Sequence, residues 1–335
     1  MVLPSPGPVE SQPLELRELP LPEPAPGEVL VKVRACAVCR TDLHVIEGEL
    51  PDPALPLVPG HQVVGTVEEV GEGVDQLATG DRVGVPWLGG TDGTCPYCRH
   101  GEENLCEHPT FTGYQRDGGY AEYVAARADF VLPLPEGPDL EVAPLLCAGA
   151  IGYRALRLTD IEGLEPPEAD IPPRLGLFGF GSSAYIVTQL ARHLGHDVYV
   201  FTRGERGRRT ALALGARWAG GPDDAPPAPL DAAIIFAPAG PLVPAALGVV
   251  RPGGTVVCAG IHMSPIPEFP YELLWGERVL RSVANLTRTD GHEFIGLVPR
   301  FRIRTEIQEF ALEDANEALA GFKSGRLQGT AVLVP

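Results

Sequence analysis

The residues with chemistry in them gather first in the run Cys39-Arg40-Thr41-Asp42-Leu43-His44, and a second imidazole, His61, follows behind a proline and glycine turn. A thiolate and a neutral imidazole are donors that Zn²⁺ takes readily, and a catalytic zinc keeps one tetrahedral position open for an incoming oxygen. Cys39 and His61 therefore read as half of such a site. The third donor must come from elsewhere, and the best candidate is Cys147 in the apolar small-residue run APLLCAGAIGY, where a lone cysteine would otherwise be a core residue. Two thiolates and a neutral imidazole balance the dication's charge and leave it a Lewis acid, the chemistry needed to ease a proton from an alcohol or to polarise an aldehyde carbonyl.

The elements that must position these groups can be read along the chain. At 335 residues the sequence has room for roughly two domains, each with its own core. EVLVKVRACAV, HQVVGTVEEVG, DRVGVPWL and GGYAEYVAA are short alternating apolar runs separated by turn residues, the pattern of a mostly β, barrel-like domain. Beyond Cys147 the texture changes to alternating strands and helices. RLGLFGFGSSAYIVTQLARHLGHDVYVFTR reads as strand, glycine turn, amphipathic helix and strand, the opening of a Rossmann-type doubly wound parallel sheet, so the fold class is α/β overall.

In that unit Gly179 and Gly181 allow a tight turn and close approach of a pyrophosphate, Ala184 takes the third-glycine position, and the following helix N-terminus offers amide donors. The second strand ends in FTRGERGRR, with Thr202 where an NAD-binding site would carry a carboxylate. Arg203, with Arg206 or Arg208, could pair with a 2′-phosphate, so NADP(H) is favoured over NAD(H). PLDAAIIFAPAG and PGGTVVCAGIH read as the fourth and fifth strands, whose ends at Ala237 and Gly260 should face a nicotinamide.

A net charge of −18 argues against nucleic acid or an anionic membrane as a partner. No apolar run reaches the roughly eighteen residues of a membrane span, and the start MVLPSPGPVE lacks a basic leader, so a cytoplasmic protein is expected. Seven cysteines in a reducing compartment read as metal ligands or core residues, with Cys36 and Cys258 assigned to packing. His193, His196, His262 and His292 lack ligand-like surroundings, and Trp87 is a candidate pocket wall.

CRTDLH, PGHQVVGTVEEVGEGV, GDRV and LLCAGAIGYRAL together resemble the ligand segments of zinc-dependent alcohol dehydrogenases of the medium-chain dehydrogenase/reductase superfamily, nearly end to end. The resemblance implies a GroES-like catalytic domain over 1–149 and 291–335, with a zinc lobe near 90–108, and a Rossmann domain over 150–290. It implies a proton relay through Thr41 and His44, Asp42 behind His61, Arg40 and Arg288 near cofactor phosphate, and Asn285 and Leu286 near the carboxamide. RVLRSVANLTRTDGHEF would supply the sixth strand and its turn, and FALEDANEALAGFKSGRLQGTAVLVP a helix and a closing strand.

Two positions depart from the family's pattern. Gln62 stands where the family has a glutamate after the ligand histidine, and the amide would leave the metal slightly more electrophilic. Asp92 stands in the first of four cysteine positions, so Asp92, Cys95, Cys98 and Cys106 would form a carboxylate-substituted structural zinc site, with His100 and His108 as possible substitutes for the aspartate. The expectation is thus two zinc ions per chain, a primary alcohol or aldehyde as substrate, and a homodimer or homotetramer. The alternatives are a zinc-free quinone or enoyl reductase using NADPH and a non-catalytic nucleotide-binding redox sensor.

Overall fold

Alternating apolar residues make Glu28–Ala37 (β1) the spine of the first sheet, with Val29, Val31, Val33, Ala35 and Ala37 all buried. After it come Arg40–Ile46 (α1), Val63–Val70 (β2), Arg82–Val85 (β3), Leu88–Gly90 (β4), Pro96–Arg99 (α2), Thr110–Phe111 (β5), Tyr123–Arg127 (β6), Leu132–Pro133 (β7) and Asp139–Val142 (α3). The second half of the chain supplies Ala148–Arg157 (α4), Arg174–Phe178 (β8), Ser182–His193 (α5), Asp197–Phe201 (β9), Glu205–Ala213 (α6), Trp218–Gly220 (β10), Leu230–Ile235 (β11), Leu242–Val249 (α7), Val250–Cys258 (β12) and Val279–Ser282 (β13). The tail adds Arg288–Phe301 (α8), Ile307–Ala311 (β14), Ala315–Lys323 (α9) and Thr330–Val334 (β15).

This computed structural model describes residues 1–161 and 171–335. The chain divides into Met1–Cys147 with Asn285–Arg300 and Arg304–Pro335, and Ala148–Ala284 with Phe301–Ile303. The first unit holds a seven-stranded sheet in the order β14-β15-β1-β2-β3-β7, with β6 also on β1. Its pairs are antiparallel except β14 with β15. The second unit is a six-stranded parallel sheet in the order β10-β9-β8-β11-β12-β13. That order, three strands running outward one way and three the other from the β8/β11 switch, is the doubly wound arrangement, and it buries β8, β9 and β11 on both faces as their apolar runs require.

The boundaries differ from expectation: Ala148, Gly149 and Phe301–Ile303, expected with the catalytic domain, fall in the second unit. Asn285–Asp290, expected with the dinucleotide-binding half, belongs to the first unit. Its turn is closed there by Thr287 N–H donating to Asp290 Oδ2 at 2.9 Å and by the Thr287 hydroxyl donating to the same oxygen at 2.6 Å, while Gly291 packs against Leu132. The tail helix is shorter than FALEDANEALAGFKS suggested: Ile307–Ala311 pairs with Thr330–Val334, and α9 begins only at Ala315. Strand pairing of those residues outweighs a helical pattern that extends to them.

Candidate functional site

Local sequence decides how α1 presents its side chains. Cys39 is the N-cap: its Sγ accepts from Thr41 N–H at 3.3 Å, and Asp42 Oδ2 accepts from Cys39 N–H at 2.8 Å, a reciprocal capping box with a thiol in the usual hydroxyl's place. The same Asp42 turns its other oxygen, Oδ1, to His61 Nδ1 at 2.9 Å, both side chains being buried. With Nδ1 so engaged, His61 directs Nε2 at Cys39 Sγ, 3.3 Å away. Cys147 falls in the break between a 3₁₀ turn, Ala143–Leu146, and α4, one residue before that helix begins.

The donor atoms of Cys39, His61 and Cys147 all lie within 4.8 Å of one another. Two ligands of a tetrahedral zinc, at about 2.3 Å for sulfur and about 2.0 Å for nitrogen, stand roughly 3.5 Å apart, so the spacing fits that ion. The electrostatics fit as well. Burial alone would lower the His61 pKa, but the charges of Asp42 and Cys39 and their hydrogen bonds outweigh it and push it up to about 10. The neighbouring Cys147 thiol and then burial push Cys39 well up. Without a cation this pocket therefore holds on to protons, as expected of a buried cluster of anionic donors.

Gln62 is fully buried at the start of the strand leading from His61, and its Nε2 donates to Ala37 O at 3.1 Å. A carboxylate could not make that bond, so the amide matches this backbone carbonyl. Trp87 stands edge-on to His61, with ring centroids 4.9 Å apart, and stacks on Phe111 at 4.9 Å and Tyr114 at 5.9 Å. The sequence singled out only Trp87. Phe111 and Tyr114 sit in FTGY, whose aromatic spacing is a signal but whose place beside Trp87 depends on a contact between distant segments. On α1, Thr41 and His44 share a face at i, i+3 spacing, and His44 Nδ1 pairs with Glu49.

The second cluster is built within one loop. Asp92, Cys95, Cys98 and Cys106 offer four donor atoms within 4.8 Å of one another. Asp92 Oδ1 accepts from Thr94 N–H at 2.7 Å and Cys95 N–H at 2.9 Å, and Cys106 Sγ accepts from Asp92 N–H and His108 N–H, each at 3.4 Å. The amides of Cys95 and Thr94 hold the Asp92 carboxyl well below the usual carboxylate range. For Cys95 burial acts upward, yet the amides of Cys98 and Glu107 and the neighbouring thiols bring it below the ordinary thiol value. Burial acts the other way on the neighbouring Cys98 and pushes it up to about 11, so the backbone amides favour the anion at Asp92 and Cys95. Neither His100, whose Nδ1 is paired with Pro96 O at 2.7 Å, nor His108 is among the four clustered donors.

The residues expected around a dinucleotide fall into separate groups. Gly179, at φ 93°, would with a Cβ meet Ala237 at 2.8 Å, and one on Gly260 would meet Pro238 and Ala237, so the ends of β8, β11 and β12 close on one another. Gly181 caps α5, where an added Cβ would meet open space, and Ala184 is fully buried. Thr202 follows β9; Arg203 and Arg206 are exposed. Arg208 is differently employed: it donates to the Thr202 and Arg203 carbonyls at 3.0 and 3.2 Å and to Glu205 at 3.1 Å, so it clasps the loop. In the first unit Arg40 lies over the Phe322 ring at 5.7 Å, and Asn285 adopts φ 55° beside buried Leu286. Arg288 is paired with buried Glu103 at 3.2 Å and lies over Phe130 at 5.1 Å.

The alcohol dehydrogenase GroES-like domain model matches residues 25–136. A Mycobacterium tuberculosis protein named probable alcohol dehydrogenase AdhA is 48% identical over 98% of this chain and 95% of its own. Among solved structures, the cobalt- and zinc-bound thermostable alcohol dehydrogenase of Pyrobaculum aerophilum has a TM-score of 0.86 and 26% identity, covering 100% of this chain and 98% of that one. A Sinorhizobium meliloti protein described as a putative zinc-binding dehydrogenase, bound to NADP, has the same score and identity and covers the same shares. The chain belongs to the zinc-type alcohol dehydrogenase family of the medium-chain dehydrogenase/reductase superfamily.

Proposed function

We propose that this protein is a zinc-dependent alcohol dehydrogenase interconverting a primary alcohol and its aldehyde, with NADP(H) as the preferred cofactor. The observation that carries this reading is the convergence of Cys39, His61 and Cys147 with Asp42 behind the histidine, in a chain of the alcohol dehydrogenase family. Those three residues would hold the catalytic zinc, and Asp92, Cys95, Cys98 and Cys106 a second, structural one. When bound, the zinc supplies Lewis acidity toward the substrate oxygen and the nicotinamide supplies the hydride carrier.

The chain's own residues do the rest. Asp42 fixes the His61 tautomer so that Nε2, not Nδ1, faces the site. Thr41, one turn before His44 on the same face, takes the alcohol proton at its hydroxyl while giving up its own toward His44, and the reverse path protonates the product in the other direction. Trp87, Phe111 and Tyr114 give the site an apolar wall suited to an apolar or aromatic substrate and to keeping water out. Support for NADP(H) comes from Thr202 and exposed Arg203 after β9, and from the NADP-bound relative. Arg40, Arg288, Asn285 and Leu286 are assigned to the cofactor on family resemblance. Arg288 would reach a phosphate only while sharing its charge with Glu103.

Two further parts of the reading concern setting. Among the described residues no helix is long and apolar enough to cross a membrane, and the seven cysteines are free thiols, which suits a reducing cytoplasm. A homodimer or homotetramer is supported by the edge strand β13, with Val279 exposed and Tyr271 and Trp275 exposed before it. The test of function is aldehyde reduction with NADPH and NADH by native, chelator-treated and Arg203→Ala protein. Expected are loss of turnover with the metal and an NADPH preference of at least about tenfold that Arg203→Ala removes, at roughly 1.4 kcal/mol per decade. Full turnover by protein stripped of metal would overturn the reading.

A further inference from the structure

The turn that ends α1 has a feature the relay described above does not use. Gly48 N–H donates to Val45 O at 3.2 Å and Glu49 N–H to His44 O at 2.9 Å, the two crossed bonds of a Schellman motif, with Gly48 at φ 76° in the left-handed position. Glycine is required there twice over, because a Cβ would also stand 2.9 Å from Pro6 Cβ. The motif is anchored from outside as well: Glu47, the C-cap, accepts from Val9 N–H at 3.0 Å and from Lys323 Nζ at 2.7 Å. This backbone arrangement folds Glu49 back over the last turn and sets its carboxylate on His44 Nδ1. The two side chains differ sharply in exposure, 11% for His44 and 52% for Glu49. One faces the protein interior and the other water.

We propose that Glu49 is a positioning residue for the proton relay: its carboxylate accepts the Nδ1–H of His44 and so fixes the tautomer in which Nε2 is the acceptor nitrogen. Resting on the alcohol dehydrogenase reading, the proposal adds to it what decides which imidazole nitrogen receives the proton. A neutral histidine has one donor and one acceptor nitrogen, and a carboxylate can only accept, so the contact selects Nδ1–H. When Nε2 takes up the proton released by the alcohol, the ring becomes a cation with its counter-charge already in contact. When that proton passes on to water the ring returns to the same tautomer, and no atom of Glu49 is consumed. Glu49 thus does for His44 what Asp42 does for His61, from the solvent side instead of the interior.

The experiment uses full-length, metal-loaded protein labelled with ¹⁵N at its eight histidines, with His44 assigned by its loss in His44→Gln. In the native protein the His44 ring should show a protonated Nδ1 and an unprotonated Nε2. Glu49→Ala should move it toward the other tautomer and lower kcat about tenfold with KM within about twofold, a fraction of the full effect of a general base. Glu49→Gln, whose Oε1 can still accept, should keep the native tautomer and recover part of the rate. Unchanged His44 resonances in Glu49→Ala overturn the proposal whatever the activity, and so does an unchanged kcat. A native protein that turns over no alcohol, but whose His44 tautomer responds to Glu49→Ala, would instead remove the activity assignment and leave the contact's effect on the ring established.

Discussion

The two donor clusters of the first unit are made of similar atoms and built in opposite ways. Cys39, His61 and Cys147 come from the cap of a helix, the start of a strand and a break before another helix, and the carboxylate of Asp42 orients the set from behind. Asp92, Cys95, Cys98 and Cys106 come from one short loop, and backbone amides do the orienting. The first has three donors, one short of a tetrahedral set, and the second has all four. A site assembled from distant segments can leave a coordination position open because the surrounding sheet holds its ligands. A loop site has no such support, and the ion must supply the cross-link that holds the loop. Donor number and origin would therefore separate a chemical role from a structural one, even though both sets offer sulfur.

The largest effect should come from Cys147→Ala. It should lower zinc from two ions per chain to one and alcohol turnover by about a thousandfold, the several kcal/mol that a Lewis acid contributes at about 1.36 kcal/mol per decade. Elemental analysis and steady-state rates check this, and two zincs retained would show that the ligand set is wrong. Cys106→Ala in the loop should remove the other zinc and lower the melting temperature by about 5–10 °C, while turnover below the transition stays within about threefold of native. If that variant loses as much activity as Cys147→Ala, the division of labour between the clusters does not exist.

How far the two sites were readable follows from how they are built. The loop cluster was legible because its donors lie within fifteen residues of chain, and local spacing survives folding. The glycine turn after β8 was legible for the same reason, since φ 93° at Gly179 is a local demand. Cys39 and His61 stand out by residue type, and Cys147 by the oddity of its surroundings. What no local pattern carried were contacts between distant segments: Phe111 and Tyr114 beside Trp87, Glu103 under Arg288, and the Gln62 amide on Ala37. Arg208 shows the converse, a basic residue of the expected kind already committed to its own loop. The six-stranded parallel order was implied by the alternation of strands and helices, whereas β14 was hidden because its apolar pattern also suits the first turn of a helix.

Intermediate effects test who does the orienting. Asp42→Asn leaves three ligands in place but weakens the hold on the His61 tautomer, so zinc should leave the first site about 10–100 times faster in competition with a chelator. The loop zinc should leave at the native rate. Because Asp42 touches no donor of the loop cluster, equal acceleration at both sites would mean that the variant loosens the whole unit, and that the carboxylate has no particular claim on His61.

The smallest effect, and the one that bears most closely on what is individual to this chain, is that of Gln62→Glu. Gln62 is fully buried and gives an N–H to Ala37 O, the carbonyl two residues before Cys39. A carboxylate there loses that donor and sets an acceptor against an acceptor. It must then find another partner, take up a proton, or turn toward the cation at Cys39 and His61. The first two routes should cost about 1–3 kcal/mol of stability, the usual penalty for a buried polar group left unpaired. The third would offset that cost only when zinc is present. Denaturant unfolding of Gln62→Glu with and without the first-site zinc separates these outcomes, because metal contact makes the penalty metal-dependent and simple mispairing does not. A penalty that is the same in both states would mean that the amide serves the strand and has no bearing on the metal. A penalty that vanishes with zinc would mean that this chain has exchanged a potential ligand for a backbone hydrogen bond next to its first thiolate.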